Sequence, residues 1–268
     1  MLSSLIGVIY FFIILIVIST SAIAGISGGV VLRPVFDLIG YHDVLSIGFY
    51  MSVAVITMTI SSTIKQIRMG TKIKVDKALT LAIGAVTGGW LGQIALERLA
   101  TYVSTDAIQT TQNILSIVAL VFVLLVTRPG LKKFSLNGSY WYILAGFGLG
   151  AFASILAIGG GPINVAAFTI IFGITLKEAT VYSITTILFT QLSRLVTMGL
   201  VPGGVGRFDL SLLLFIIPAA IIGGYIGGKL NVKFSNEQVM KVFKFVVTTT
   251  ILINIINAVT FGLELIWQ

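Results

Sequence analysis

Two stretches decide how this chain reads: Gly25-Ile26-Ser27-Gly28-Gly29 and Ile158-Gly159-Gly160-Gly161-Pro162. Each interrupts an apolar segment. Each is followed by a short apolar piece, 30–39 or 163–172, and then by Gly40 or Gly173. A helix rises 1.5 Å per residue, so such a piece covers only about half of a ~30 Å hydrocarbon layer. Interrupted hydrophobic segments at corresponding places in two halves point to the binding site of a transporter built from repeats.

The rest of the chain fits that frame. Its 268 residues are 57% hydrophobic and 10% charged, with mean hydropathy +1.08; a soluble domain carries about 25% charged residues. This is the composition of a polytopic, all-α membrane protein. Long apolar spans lie at about 5–24, 44–63, 78–96, 114–126, 140–158, 179–200, 210–228 and 239–261. The fourth is short by hydropathy and is expected to begin near Asp106. Capping-box spacing places Asp106 with Gln109, and Ser235 with Gln238, at the starts of the fourth and eighth spans. The expected architecture is about eight long helices and two half-helices. The first segment resembles a signal sequence at Ser21-Ala22-Ile23-Ala24, but no basic residue precedes it. It reads as a retained first helix.

Several functions are excluded by composition. There is no cysteine, which removes disulfides, thiolate catalysis and thiolate metal sites; the one histidine, His42, cannot make a multi-histidine site. No cofactor is expected. The net charge of +8 does not imply nucleic acid, because the basic residues sit in loops between spans.

The two halves, 1–130 and 131–268, repeat each other. Ser27-Gly28-Gly29 matches Gly159-Gly160-Gly161 at an offset of 132. Gly40 and Gly173, Thr57 and Thr190, and Asp76 and Asp209 match at 133. Gly88-Gly89-Trp90-Leu91-Gly92 matches Gly223-Gly224-Tyr225-Ile226-Gly227 at 135. Loops 64–77, 128–139 and the connection 229–244 hold 12 of the 17 basic residues, so they are expected in the cytoplasm. Loops 97–110 and 201–209 are nearly neutral and are expected outside. The second span then runs inward and its mate, the sixth, outward. The repeats are therefore expected to be inverted. Two broken hairpins would enter from opposite faces and meet near the midplane.

The candidate site residues gather at the breaks. In Gly159-Gly160-Gly161-Pro162-Ile163-Asn164, glycine permits the sharp turn and Pro162 suits the first position of a helix. The bare amides of that helix start carry partial positive charge and bind anions, and Asn164 adds a side-chain donor. The first break, Ser27-Gly28-Gly29, lacks the third glycine and the proline. It leads to Arg33, which either faces the site, snorkels to a surface, or pairs with Asp37 at i+4. The second and sixth spans are rich in hydroxyls, among them Ser52, Thr57 and Thr190. For most of these, helix–helix hydrogen bonding is the simpler reading. Gln191 and Arg194 are large and polar for a span, although Arg194 is near enough to its end to snorkel. His42-Asp43 and Lys177-Glu178 hold equivalent places after the half-helices and read as solvated turns, with gating or proton uptake as the alternative. No long span carries a deep carboxylate, so no proton relay is identified.

The duplicated pattern resembles one known family. A Gly-Gly-Gly break, a half-helix ending in glycine, the span Leu188-Phe189-Thr190-Gln191-Leu192-Ser193, and an Asp-initiated span at Phe208-Asp209 are similar to the sulfite exporter TauE/SafE family. The similarity runs from about Ile23 to Val259; the first repeat departs by Ser27 in place of a glycine. It implies movement of sulfite, sulfonates or related compounds across the bacterial inner membrane. The residues by themselves support a small anion. The leading reading is a secondary transporter working by alternating access within the lipid bilayer; a homodimer is compatible with it. An anion channel and a non-transporting membrane subunit are the rivals. An intramembrane enzyme lacks the necessary nucleophile or metal-ligand set, and no P-loop is present.

Overall fold

The computed structural model describes residues 2–70, 75–127 and 134–267. They form ten α-helices: α1 Leu2–Ala24, α2 Gly29–Ile39, α3 Val44–Arg68, α4 Val75–Tyr102, α5 Thr105–Val126, α6 Ser139–Ile155, α7 Gly161–Ile171, α8 Leu176–Leu200, α9 Leu213–Lys233 and α10 Asn236–Trp267. Two 3₁₀ turns, Gly204–Arg207 and Leu210–Leu212, join α8 to α9. Lys72, Lys74, Arg128, Lys132 and Lys133, with the boundary between 130 and 131, lie outside the described residues.

Six helices are long and apolar enough to cross a bilayer: α1, α3, α4, α5, α9 and α10. At 17 residues α6 is short, and α2 and α7 have 11 each. Helix α8 has the length, 25 residues, but its hydroxyl, amide and guanidinium side chains lower its apolarity. The helices run past the apolar stretches because charged residues such as Lys65 and Arg68 fit the last turn, where exposed carbonyls favour cations.

Caps set the ends. Ser235 and Gln238 form the expected box: the Ser235 amide donates to Gln238 Oε1 at 2.9 Å, and the Gln238 amide to Ser235 Oγ at 3.2 Å. At α5 the cap is Ser104, not Asp106; its Oγ accepts from the Ala107 amide at 3.4 Å. Asp106 falls inside the first turn, where its charge still suits the helix dipole.

Each short helix doubles back along its predecessor. The strand-like approach to α6 donates from the Phe134 and Leu136 amides to Ile170 O and Ile171 O at the far end of α7, at 2.7 and 3.1 Å. Tyr142 of α6 stacks on Phe172 with centroids 4.0 Å apart. In the other half Tyr10 of α1 stacks on Phe36 of α2 at 4.6 Å. These aromatic clamps close the open ends of two helical hairpins.

Glycine stripes bring helices of the two halves together. A Cβ on Gly84 or Gly88 of α4 would collide with Ile143 O or Phe147 O of α6, and one on Gly92 would meet Ala151 O at 2.6 Å. Gly223 of α9 similarly meets Leu15 O of α1 at 3.1 Å, and Gly227 meets Ser19 O at 2.5 Å. Small residues four apart let backbones approach in this way. Thus α4 packs on α6 and α8, while α9 packs on α1 and α3. Each half contributes one long helix to the helices of the other.

Candidate functional site

The candidate site is the place where the two breaks meet. After α6, the chain turns through Ala157, Gly159 and Gly160, all with positive φ (53°, 74° and 73°). Gly160 is the N-cap of α7 in the left-handed region, with no side-chain cap, and Pro162 sits in the first turn. Among the described residues, the amides of Gly159, Gly160 and Gly161 make no hydrogen bond. The first break turns at Gly25, φ 67°, and is tighter: Ser27 Oγ accepts from the Gly29 amide at 3.0 Å, so this helix start is already capped. Ser27 Oγ also lies 3.5 Å from Ile158 O. A Cβ on Gly161 would collide with the Ser27 amide nitrogen, so only glycine allows this approach.

Against the second break stands a polar cluster from α8, α3 and α4. A Cβ on Gly159 would fall 2.9 Å from Gln191 Nε2. Gln191 Oε1 accepts from Ser52 Oγ at 2.9 Å and from Arg194 Nη1 at 3.1 Å. Arg194 Nε donates to Gln93 Oε1 at 2.9 Å. Gln93 Nε2 in turn donates to Glu97, at 3.1 Å, and Glu97 is ion-paired to Arg207 at 2.8 Å near the surface. Ser27, Ser52, Gln93, Gln191 and Arg194 are all 0% exposed. Yet Gln191 Nε2, Arg194 Nη2, Thr190 Oγ1 and Asn164 Oδ1 have no partner. Native interiors rarely leave so many polar atoms unpaired in one place without a functional reason.

Arg33 is buried too, 2% exposed, and does not snorkel. Its Nε binds Asp37 at 2.9–3.0 Å and its Nη2 donates to Gln112 at 2.8 Å. Gln109 donates to Asp37 at 3.0 Å, and Gln112 reaches Ile155 O at 2.6 Å, at the last residue of α6. Arg33 therefore approaches the second break but spends its charge on Asp37. Asp37→Asn is expected to cost about 3–5 kcal/mol of stability, because it strips a buried cation of its counter-charge. Chemical unfolding of the purified variant measures it.

Three charged side chains are buried among the described residues: Arg33, Asp37 and Arg194. The first two compensate each other, so the interior keeps one positive charge, on Arg194. Glu97 is connected to Arg194 only through Gln93, and is itself ion-paired to Arg207. The hydrogen-bond partners of Arg194 are neutral amide oxygens.

The structure thus brings together Ser27, Gly159, Gly160, Gly161, Asn164, Gln191 and Arg194. Gly28, Gly29 and Pro162 frame the turns, and the Thr190 backbone packs on Gly89. Thr57 lies apart, lining an outer groove with Ile60, Ser61 and Ile64. Its expected match to Thr190 is off by one: Met58 packs on Gly224 as Thr190 packs on Gly89. The sequence reading missed Gln93, Gln109 and Gln112. The available signal was an uncharged amide in an otherwise apolar span, as in Gly92-Gln93.

His42 is half-buried in a turn whose neighbours Tyr41 and Asp43 are exposed. It lies among Tyr10, Tyr41 and Tyr50, with ring centroids 5.8, 4.9 and 5.0 Å away, and its Nε2 is unpartnered. Burial holds its pKa below the usual histidine value, against the pull of Asp43 and Asp209. Asp43 is the N-cap of α3, accepting from the amides of Leu45 and Ser46 at 2.8 and 2.9 Å. Burial opposes its charge, but those bonds win and lower its pKa. The Lys177 side chain lies outside the described residues.

Apolar spanning helices around a buried, partly unpaired polar centre define a multi-pass membrane protein. The sequence model of the sulfite exporter TauE/SafE family matches residues 10–255, and the chain belongs to that family of membrane transporters. No curated protein and no solved structure matches the chain.

Proposed function

We propose that this protein is a secondary transporter of a small sulfur-containing oxyanion, of the sulfite or organosulfonate class, across the inner membrane. The observation that carries this reading is the buried guanidinium of Arg194, held by the amide oxygens of Gln93 and Gln191 and not by a carboxylate, with Gln191 linking it to the uncapped turn at Gly159–Gly161. Burying a cation without a counter-charge costs several kcal/mol, on the order of what a bound anion would return. A planar guanidinium with a free Nη2 and a row of peptide donors suits an oxyanion. Arg194, Gln191 and the second break form the anion seat, with Asn164 and Ser27 at its edges. The buried position of these residues suits alternating access, which passes through an occluded form between its two open ones.

The two halves are read as inverted repeats. Helices α4, α6 and α8 run parallel by their registers, as do α1, α3 and α9, and the short α3–α4 connection makes the two sets antiparallel. Ser61 Oγ donates to Ile221 O just as Ser193 Oγ donates to Val86 O, at 2.8 and 2.7 Å. The hairpins α1–α2 and α6–α7 would then enter from opposite faces and meet near the midplane. Loops 64–77, 128–139 and 229–238 face the cytoplasm in this arrangement. The native chain has no cysteine, so single cysteines report sidedness cleanly. An impermeant thiol reagent outside intact cells is expected to label position 105 and spare position 72; the reverse pattern removes the inverted arrangement.

Asn164→Ala is expected to weaken anion binding, through loss of the Nδ2 donor, by about 0.5–1.5 kcal/mol for an ordinary hydrogen bond, or about 1.5–3 if its partner is charged. Competition binding on purified protein measures this. The direct test of function is flux into proteoliposomes of radiolabelled sulfite, sulfonates, thiosulfate and sulfate, with and without a pH gradient. Saturable flux of a sulfur oxyanion is expected. Flux of a cation, or of a neutral solute with no competition from anions, overturns the proposal.

A further inference from the structure

A groove of about 440 Å³ runs along the outer side of α3 and α9. Its walls are apolar: Ile60, Ile64 and Ile221, each 44–48% exposed, within two helices of membrane-spanning length. Its mouth is basic. Lys65 Nζ bonds the Tyr225 hydroxyl at 3.2 Å and lies 4.6 Å from the centre of its ring. Arg68 lines the same end, one turn on, and Lys229 stands one turn beyond Tyr225 on α9. No acidic residue lines the groove.

The fold itself does not demand these cations. The packing relates α3 to α8 at an offset of 132 and α9 to α4 at 135. The corresponding groove on α8 and α4 therefore carries Leu192, Val196 and Val86 for the three isoleucines, Trp90 for Tyr225, and Thr197 and Leu200 for Lys65 and Arg68. It keeps the apolar walls and the aromatic ring but has no charge. The basic mouth belongs to one end of the molecule only, the end that the loop charges assign to the cytoplasm.

We infer that the α3–α9 groove is a binding site for an anionic phospholipid. An acyl chain lies along Ile60, Ile64 and Ile221. The headgroup phosphate sits between Lys65 and Arg68, with Tyr225 as the amphipathic ring at headgroup level. Anionic lipid is the occupant that matches both features. A soluble phosphate has no use for the apolar walls. A second copy meeting this face across a two-fold axis would set its own Lys65 and Arg68 against these.

The test uses the full chain purified in a neutral detergent, with phosphatidylglycerol or phosphatidylcholine added, read by thermal unfolding and by native mass spectrometry. Phosphatidylglycerol is expected to raise the unfolding temperature above the effect of phosphatidylcholine and to persist as an adduct. In the Lys65→Gln/Arg68→Gln variant its apparent affinity is expected to fall roughly tenfold or more. The lipid-free unfolding temperature should barely move. Ile221→Trp fills the groove without touching charge and is expected to lose the adduct as well, which keeps the test available should the double variant fail to fold. Equal shifts from the two lipids, an undiminished effect in both variants, or full reproduction of the effect by glycerol phosphate overturns the inference. So does a dimer that carries no lipid and dissociates when the groove is filled.

Discussion

Arg194→Gln is expected to lower anion affinity roughly ten- to hundredfold while leaving the protein as stable as before, or more so. The two halves of that expectation have separate causes. A bond from a charged donor to an anion is worth about 1.5–3 kcal/mol, and each 1.4 kcal/mol is tenfold in affinity. Stability follows the opposite logic. Arg194 is 0% exposed and is held by the oxygens of Gln93 and Gln191, not by a carboxylate. In the empty protein its charge is a burden, and removing an uncompensated buried charge relieves that burden. A structural arginine would behave differently, because its loss would lower stability and leave affinity alone. Arg194→Lys separates charge from shape. It keeps the cation but gives up the planar fork, so intermediate affinity is expected. The measurement is equilibrium binding of sulfite or a sulfonate, paired with thermal unfolding, on each purified variant. Wild-type affinity in Arg194→Gln would show that the guanidinium does not face substrate.

The contrast between the two arginines shows how much of the site was legible in the sequence. The glycine-rich breaks were, because a helix end is a local event: Gly159, Gly160 and Pro162 state their backbone preferences with no reference to the rest of the chain. The doubling back of each short helix was also legible, as a matter of length against membrane thickness. The pairing of Arg33 with Asp37 could be seen as an i,i+4 option. Choosing it over snorkelling needed Gln109 and Gln112, 72 and 79 residues away in sequence. Gln93 reaches Arg194 across 101 residues, through the glycine-lined seam between α4 and α8, and Ser52 meets Gln191 across 139. Such contacts arise from tertiary packing, which hydropathy does not encode. The one-residue slip at Thr57 has the same origin. Thr57 and Thr190 match as letters, but the seam between helices pairs Met58 with Thr190, and a single residue on a helix turns a side chain by about 100°. The aromatic clamps at Tyr10 and Tyr142 were missed because tyrosines near span ends are expected at any membrane interface.

The largest loss is expected from Gly160→Val, which should abolish anion-coupled transport. Gly160 caps α7 at φ 73°, a region that a β-branched residue enters only with strain; the left-handed conformation costs roughly 1–2 kcal/mol for an ordinary L-residue. An added Cβ would also stand 2.9 Å from Asn164 Oδ1 and 3.0 Å from Ala153 Cβ. The turn would have to shift, carrying with it the unbonded amides of Gly159–Gly161 and the Gln191 amide packed on them. The damage is local to the seat, because the helices on either side are held by their own hairpin clamps and glycine seams. Two comparisons isolate that effect. Gly206→Val, in the 3₁₀ turn before α9, places its Cβ in open space and is expected to transport as wild type. Gly160→Asn tolerates the left-handed backbone yet still puts a Cβ against Asn164, so it should fold well and bind anion poorly. The readout is sulfur-oxyanion flux in proteoliposomes, normalised to well-folded protein, with equilibrium binding alongside. If Gly160→Asn and Asn164→Ala both bind anion as tightly as wild type, the motif serves only to pack the two breaks, and the anion seat must be sought elsewhere around Arg194.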